Sequence, residues 1–408
     1  MANYLILCSD YLSPSDANGI CIRNVVNELN SREDSVYIIS ESDRSGLIYS
    51  KNNIFVYGVK RTWFAFFLKK YGTSGIFPKA VQVLRACFAM FLYPNVSPIR
   101  SFRVYNLAMQ LIEQYKIDTV VCAYRPFESL WAGLKLKTEF PNLHVIGYHL
   151  DLLMAANNTS AAVREYKCKK AHSFFEKERN KFDKIILPKS VMDQNYEDGN
   201  IVYADFPMFV TDYNRSQCEF TYDDTCINFS YIGSVDGSNR EIIHLVSVLE
   251  GVQKIINKGI CLNIWGNVSP DVLEYFKENA MVQYHGLVDA TLTYGILCNA
   301  DFVVNLSNKN TPEMIPSKIF QLFSSLTPIL NVVENPLDKS LPYFARNDFA
   351  CSIYAYKKDV SADVDTVARF IGDLYGRKQI QNKVESFYEE SRPAYVADLM
   401  RIGTGEKK

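Results

Sequence analysis

Short apolar runs alternate with longer stretches of helical periodicity, and the chain passes through this scheme twice. In the first half, runs at 4–8, 36–40, 54–57, 119–123, 144–148 and 184–187 have strand length and are rich in Ile, Val, Leu and Tyr. Between them the spacing predicts helices over 19–31, 102–115, 130–139 and 161–181. In the second half, candidate strands at 227–232, 261–265, 282–284, 302–306, 328–332 and 351–354 take turns with helices near 239–257, 270–279, 290–299, 317–325 and 362–375. A parallel neighbour requires a crossover, and the crossover helix lands on the sheet, so this order predicts α/β architecture with doubly wound parallel sheets. At 408 residues the chain is too long for one ordinary core, and two domains of about 200 residues are expected. The weakly patterned stretch 204–215, with Pro207, is the expected connector. We therefore expect one domain over 1–205, a second over 206–385, and a terminal helix within 386–408 that packs back on the first. Tandem doubly wound domains would leave a cleft at the carboxyl ends of their strands, where such sheets bind ligands.

Composition narrows the function. Hydrophobic residues make up 48% and charged residues 22%, a globular balance. The net charge of -1 argues against a nucleic-acid partner, because neutralising phosphates needs a basic face. The ten cysteines form no Cys-x-x-Cys pair, and the five histidines are not clustered. Thiols inside apolar runs, such as Cys8, Cys122 and Cys261, read as buried and reduced, so neither a disulfide frame nor a metal site is expected. The opening apolar run is short for a signal peptide, and no stretch reaches the roughly 18–20 apolar residues of a membrane span. The expected location is the cytoplasm. Segment 59–94 combines Trp63, Phe64, Phe66, Phe67, Phe88 and Phe91 with Lys60, Arg61, Lys69 and Lys70. That composition suits a helix lying on an anionic membrane surface, and equally an amphipathic pair packed on its own domain.

The most informative stretch runs from Asn310 to Leu330. Glu313 lies on a loop after the strand that ends at 306, and Ser317, after Pro316, is a good N-cap residue. A helix N-terminus there would offer free N–H groups to a diphosphate, and Lys318 would add a cation.

This stretch resembles the signature of the retaining GT-B glycosyltransferases of the glycosyl transferases group 1 (family 4-like) type. In that signature one Glu, seven residues and a second Glu precede an apolar helix and a Gly-x-Pro-Ile/Val ending. Glu313 matches the first acid, Gln321 stands where the second belongs, and Leu326, Thr327, Pro328 and Ile329 close the segment. The resemblance implies that Glu313, with Met314 and Ile315 beside it, adjoins the donor sugar. Gln321 would meet the ribose as a neutral group. The run from Phe229 through Gly233 and Gly237 to Arg240 is similar to the family's donor-domain opening, which implies an Arg240–diphosphate contact. The partner Lys of that motif is missing after Arg240, and Lys318 is expected to supply its charge. Gly266, and Gly286 with Leu287 and Val288, match two further elements, the latter meeting the nucleobase through backbone groups. Residues 299–303 match a fourth, so the likeness covers 229–330 in the family's order.

In the first half, Gly19 resembles the family's glycine loop. It would let the backbone approach a donor phosphate or acceptor, or simply start a helix. His149 and Asp151 end a strand where the family often carries a catalytic-site His, although a lone His is as readily structural. Arg125 and Glu128 follow another strand and would bind acceptor, or would be solvated charges.

The resemblance implies two Rossmann-like domains (GT-B) with a cleft between them. The implied activity is that of a hexosyltransferase, moving a sugar from a nucleotide-sugar donor to a saccharide or lipid-linked acceptor with retention. The setting it implies is bacterial surface polysaccharide synthesis at the inner face of the cell membrane. Arg240, Lys318 and the N-terminus at Ser317 would stabilise the departing diphosphate. No Asp-x-Asp motif sits at a strand end, so no metal and no cofactor besides the donor is expected, and Asp223 and Asp224 are discounted. Two alternatives stay open. A nucleotide-sugar 2-epimerase would need further acids and histidines in the cleft, where this chain has five histidines in all, and a nucleotide-sugar-binding protein without turnover would suit Gln321.

Overall fold

A computed structural model describes residues 2–13, 16–60, 76–124, 126–150, 161–194, 199–210, 220–240 and 242–401. Arg125, Asp151, the 61–75 part of the aromatic–basic segment and the tail beyond 401 lie outside the described residues. The chain forms two compact units, Met1–Pro207 with Pro393–Lys408, and Met208–Arg392.

The first unit is built on an eight-stranded sheet in the order β3-β4-β2-β1-β5-β6-β7-β8. Its strands are β1 (Asn3–Leu7), β2 (Ser35–Ser42), β3 (Gly46–Lys51), β4 (Ile54–Lys60), β5 (Thr119–Tyr124), β6 (His144–His149), β7 (Lys184–Pro188) and β8 (Ile201–Ala204). Only β3 runs antiparallel, as the outer half of a hairpin with β4. Every residue of β5 is buried, as expected of a central strand covered on both faces. The helix α1 (Ala17–Ser31) starts where the Asp16 carboxylate accepts the Gly19 N–H at 3.1 Å. It lays Cys21, Ile22, Val25, Val26 and Leu29 on the sheet, an apolar stripe of helical period.

The edge strands β3 and β8 escape the sequence reading for different reasons: β3 is mostly exposed and short of apolar residues, and β8, although apolar, is only four residues long. The single helix expected over 386–402 is instead Gln381–Phe387, a 3-10 turn at Glu389–Ser391, and Pro393–Leu399. The proline cannot continue the preceding turn. The Pro393–Leu399 helix belongs to the first unit, where Asp398 pairs with Arg32 at 2.6 Å and the Lys184 ammonium donates to the Leu399 carbonyl at 2.6 Å.

The second unit has six parallel strands in the order β11-β10-β9-β12-β13-β14. They are β9 (Cys226–Ile232), β10 (Gly259–Trp265), β11 (Val282–Tyr284), β12 (Phe302–Leu306), β13 (Ile329–Val332) and β14 (Ala350–Ile353). Phe229, Leu262, Phe302, Leu330 and Val367 lie in its core. Buried asparagines fix its register: Asn263 donates to the Asn228 amide oxygen at 3.3 Å, and Asn305 donates to that of Asn331 at 2.8 Å. Such side-by-side amides satisfy one another where water is excluded. The order reverses between β9 and β12. Pairing there covers only Phe302 with Phe229 and Val303 with Ser230, so the two strands part toward their carboxyl ends. In open α/β sheets that switch point is where ligands bind.

Candidate donor site at the strand switch of the second unit

The loops that leave β9 and β12 meet at this switch point. After β9 the helix expected from about Asn239 begins only at Ile243. Residues 233–240 form a loop folded around Asp236, whose Oδ1 accepts the N–H groups of Ser238, Asn239 and Arg240 at 3.0, 2.7 and 3.1 Å. Burial alone would raise this carboxyl's pKa, but the backbone donors and the Ser238 hydroxyl outweigh it, and the net shift is downward. The ionised side chain therefore works as the loop's clamp.

The β12 loop is laced to this one. Asn308, buried, accepts the Arg240 Nε–H at 3.1 Å and the Asn239 amide at 3.3 Å. Asn310 donates its N–H to Asn239 Oδ1 at 2.9 Å. From behind, Asn335 donates to the Lys309 carbonyl at 2.8 Å, and the Lys339 N–H to the Pro312 carbonyl at 2.9 Å. Arg240 is thus aimed by a neutral amide, which orients the guanidinium without cancelling its charge.

Lys318 converges on the same place. It is exposed to solvent, and its pKa is lowered first by desolvation and then by the Arg240 guanidinium. Two cations far apart in sequence are held close enough to repel, which makes the spot favourable for an anion. Glu313 is exposed on the loop between them, with Met314 half-buried and Ile315 buried. Gln321 is half-buried on the helix behind.

That helix differs from the expectation. It runs only from Lys318 to Ser324, and Ser317 sits at its cap position in helical conformation with no side-chain cap bond. The N–H groups of Ile319 and Phe320 are already taken by the carbonyls of Pro316 and Ser317 at 3.1 and 3.3 Å. Ser317 and Lys318 are left to present N–H groups, and so short a helix contributes little dipole. The side-chain cations carry the positive charge of the site.

Gly233, Gly266 and Gly286 follow the carboxyl ends of β9, β10 and β11 and are strung together. The Gly233 N–H donates to the Trp265 carbonyl, and that of Gly266 to the Gly286 carbonyl, both at 2.8 Å. Gly266 has φ of 130°, and an added Cβ would stand 2.0 Å from the Gly233 carbonyl oxygen. No other residue fits there. Leu287 is 75% exposed beside this turn, and Val288 is half-buried.

The first unit brings a different picture. Its own switch point, between β1 and β5, is a shallow depression lined by Cys8, Asp10, Tyr11, Gly19 and Ala123, with no enclosed space for a water molecule. Gly19 is required for internal packing: a Cβ would lie 2.2 Å from the Asp10 carbonyl oxygen. Glu128, expected to meet an acceptor, is 3% exposed. Its pKa is raised by burial, against the pull of Arg100, which pairs with Glu41 at 2.6 Å. A carboxyl so enclosed is a core group and not a surface contact.

His149 ends β6 and is 3% exposed, with Tyr124 and Phe175 rings at 5.5 and 5.9 Å. Desolvation pushes its pKa down to about 3, so it stays neutral and cannot serve as a cationic acid near pH 7. The sign of its effect on stability follows. The unfolded imidazole takes a proton below about 6.5 while the folded one refuses it, so stability falls as pH drops through that value. Between pH 7 and 5 this amounts to about 2 kcal/mol, and urea unfolding at the two pH values should show that much less acid sensitivity in His149→Phe than in wild type. Equal sensitivity would contradict the buried assignment.

No family model and no curated protein matches the sequence. Solved structures share the fold. The glycosyltransferase from Rickettsia africae ESF-5 is 14% identical, with TM-score 0.57, covering 98% of this chain and 95% of its own. Sucrose-phosphate synthase from Thermosynechococcus elongatus is 11% identical, with TM-score 0.54 and coverage of 97% and 94%. The UDP-GlcNAc 2-epimerase from Methanocaldococcus jannaschii is 10% identical, with TM-score 0.56 and coverage of 98% and 99%. At these identities the likeness is one of fold. The architecture is the two-domain GT-B type, with one Rossmann-like parallel sheet in each unit.

Proposed function

We propose that the chain is a GT-B glycosyltransferase that takes a nucleotide-activated sugar as donor and transfers it, with retention, to a saccharide or lipid-linked acceptor. The lacing of the Arg240 loop to Asn308 at the β9/β12 switch point, with Lys318 near enough to feel the guanidinium's charge, supports this reading most directly. A nucleotide sugar releases a diphosphate whose charge grows as the glycosidic bond breaks, and fixed cations at that spot favour the transition state over the bound donor. Asn308 and Asp236 hold the arginine loop in place before the donor arrives, so no reorganisation is needed at the reacting moment. Glu313, with Met314 and Ile315, is assigned to the sugar, Gln321 to the ribose, and the Gly286–Val288 backbone to the base. Asp151 and Arg125 are assigned to the first unit's share of substrate binding, and the buried His149 to its core. No metal is assigned to the reaction.

The test is incubation of the full chain with labelled UDP-, GDP- and ADP-sugars, followed by analysis of both nucleotide and sugar. Release of nucleoside diphosphate with an unaltered sugar, abolished in Glu313→Ala, is the expected result. A recovered nucleotide sugar inverted at C2 would replace the proposal with an epimerase. Binding without release would replace it with a carrier.

A lipid-linked acceptor gains support from the helix Ile76–Leu92. It exposes Val83, Leu84, Phe88, Phe91 (82% exposed) and Leu92, with Ile99 and Phe102 exposed on the next helix, Pro98–Tyr115. We place this face on the anionic inner surface of the cell membrane, consistent with surface polysaccharide synthesis. No described helix is long and apolar enough to cross a membrane. Co-sedimentation with vesicles containing phosphatidylglycerol should fall at least tenfold in Phe88→Ser/Phe91→Ser, since each buried ring contributes about 2 kcal/mol. Undiminished binding would remove the membrane from the proposal.

A further inference from the structure

At the amino-terminal end of β9 and β10, away from the arginine loop, Asp223, Cys226 and Cys261 come together. Their ligand atoms, one carboxylate oxygen and two sulfurs, all lie within 4.8 Å of one another. Cys226 opens β9, and Cys261 is the third residue of β10. Gly233 and Gly266 follow the other ends of those strands, so the cluster stands about 20 Å from the candidate donor site. We infer that these three residues form a binding site for a thiophilic divalent cation, zinc(II) in the first place.

The donor set and the spacing agree with that ion. Zinc takes thiolate, imidazole and carboxylate ligands in tetrahedral geometry, with Zn–S near 2.3 Å, which puts neighbouring ligand atoms about 3.6–3.8 Å apart. The Cys226 sulfur lies 3.6 Å from Asp223 Oδ2, already at the edge length of such a tetrahedron. The carboxylate is oriented from behind: its Oδ1 accepts the Thr225 N–H at 2.9 Å and the Thr225 hydroxyl at 2.6 Å, which leaves Oδ2 for the ion. Outer bonds of this kind fix a metal ligand's direction. Asn228 secures the turn by donating to the carbonyls of Asp223 and Cys226 at 2.9 and 3.3 Å. The Gln283 amide N–H donates to the Cys261 sulfur at 3.8 Å and would steady the thiolate, and a water molecule would complete the fourth position.

A disulfide fits the same pair less well. In the β9–β10 ladder Cys226 faces Gly259, and Cys261 faces Asn228 two residues on. With strands about 4.8 Å apart and a two-residue rise of about 6.6 Å, such a diagonal pair has Cα atoms about 8 Å apart, whereas a disulfide spans about 4.4–6.8 Å. A metal ion bridges the longer gap without moving either strand. Binding exchanges the two thiol protons, released to solvent, for two metal–sulfur bonds, so affinity rises with pH. The ion would tie the Asp223 turn to β10 and stabilise this unit without entering the transfer reaction.

The test is titration of the reduced, metal-free full chain with cobalt(II), then zinc(II). The expected result is a near-ultraviolet sulfur-to-cobalt charge-transfer band that saturates at one ion per chain and is erased by zinc. Zinc should also raise the melting temperature. The band should vanish in Cys226→Ser, and cobalt affinity should fall at least about tenfold in Asp223→Asn and Thr225→Val. Asp223 is exposed, so its variant decides the matter even where a cysteine variant folds poorly. No band, a band unchanged in Cys226→Ser and Asp223→Asn, or a Cys226–Cys261 disulfide in the air-equilibrated chain would overturn the site. Nucleotide binding is expected to be the same with and without zinc, so this outcome is independent of the donor-site proposal.

Discussion

Arg240→Ala is expected to lower kcat/KM for sugar transfer by about 100- to 1000-fold, the usual loss on removing one fixed donor that meets developing charge. Affinity for the nucleoside diphosphate should fall with it. Lys318→Ala should give a loss of similar size, and the double variant less than the product of the two, because both cations act on one group. Asn308→Ala should cost about 1–2 kcal/mol of the same binding by leaving the guanidinium unaimed. The account also fixes a pH dependence. Lys318 must be protonated to hold an anion, and its pKa is depressed by desolvation and by Arg240. Binding should therefore weaken, as pH rises, below the pH at which an ordinary lysine near 10.4 would lose its proton. Lys318→Arg should move that loss to higher pH, and an unchanged profile would separate Lys318 from the site.

Gly266→Ala is expected to destabilise the second unit by about 3–5 kcal/mol. A methyl group placed 2.0 Å from the Gly233 carbonyl oxygen must displace backbone, not a flexible side-chain end, and φ of 130° is already unfavourable for alanine. Relief can come only by pushing the Gly233 loop, which leads to Arg240, so nucleotide affinity should fall even in molecules that remain folded. In a Trp63→Phe/Trp131→Phe background Trp265 reports this unit alone, since the two replaced residues belong to the other. Its fluorescence in urea should show the midpoint moving strongly down. Gly372→Ala is the control: it lies in the helix Val360–Leu374 with open space around it, and alanine there should stabilise by about 0.5–1 kcal/mol.

Much of this architecture was legible in the sequence for a simple reason. Central parallel strands are buried on both faces and read as unbroken apolar runs, so β5 and β12 declare themselves. Edge strands such as β3 do not, because half their residues face water. The loop that carries Arg240 was legible as a glycine turn, but the side chains that aim it were not. Asn308 is 68 residues away from Arg240, and a lone asparagine after a strand has no distinguishing spacing. Asp236 did carry a local signal, an Asp-Gly pair that favours a turn with side-chain-to-backbone bonds. His149 ends β6 as expected, and Glu128 lies in the first turn of the helix after β5, yet their burial reverses what residue type suggested. The Asp223–Cys226–Cys261 cluster was invisible because strand pairing, not sequence spacing, brings its sulfurs together.

The central claim is that the β9/β12 switch point holds the diphosphate of a nucleotide donor. The most direct measurement is the melting temperature of the full chain, followed through Trp265 in the Trp63→Phe/Trp131→Phe background, against a panel of UDP, GDP, ADP and their sugar conjugates. A nucleotide at about 100 times its Kd should stabilise the second unit by about 2.7 kcal/mol. The account predicts such a shift for one base, abolished by Arg240→Ala and retained by Glu313→Ala. No shift with any nucleotide on folded protein, or one that Arg240→Ala leaves intact, would contradict it.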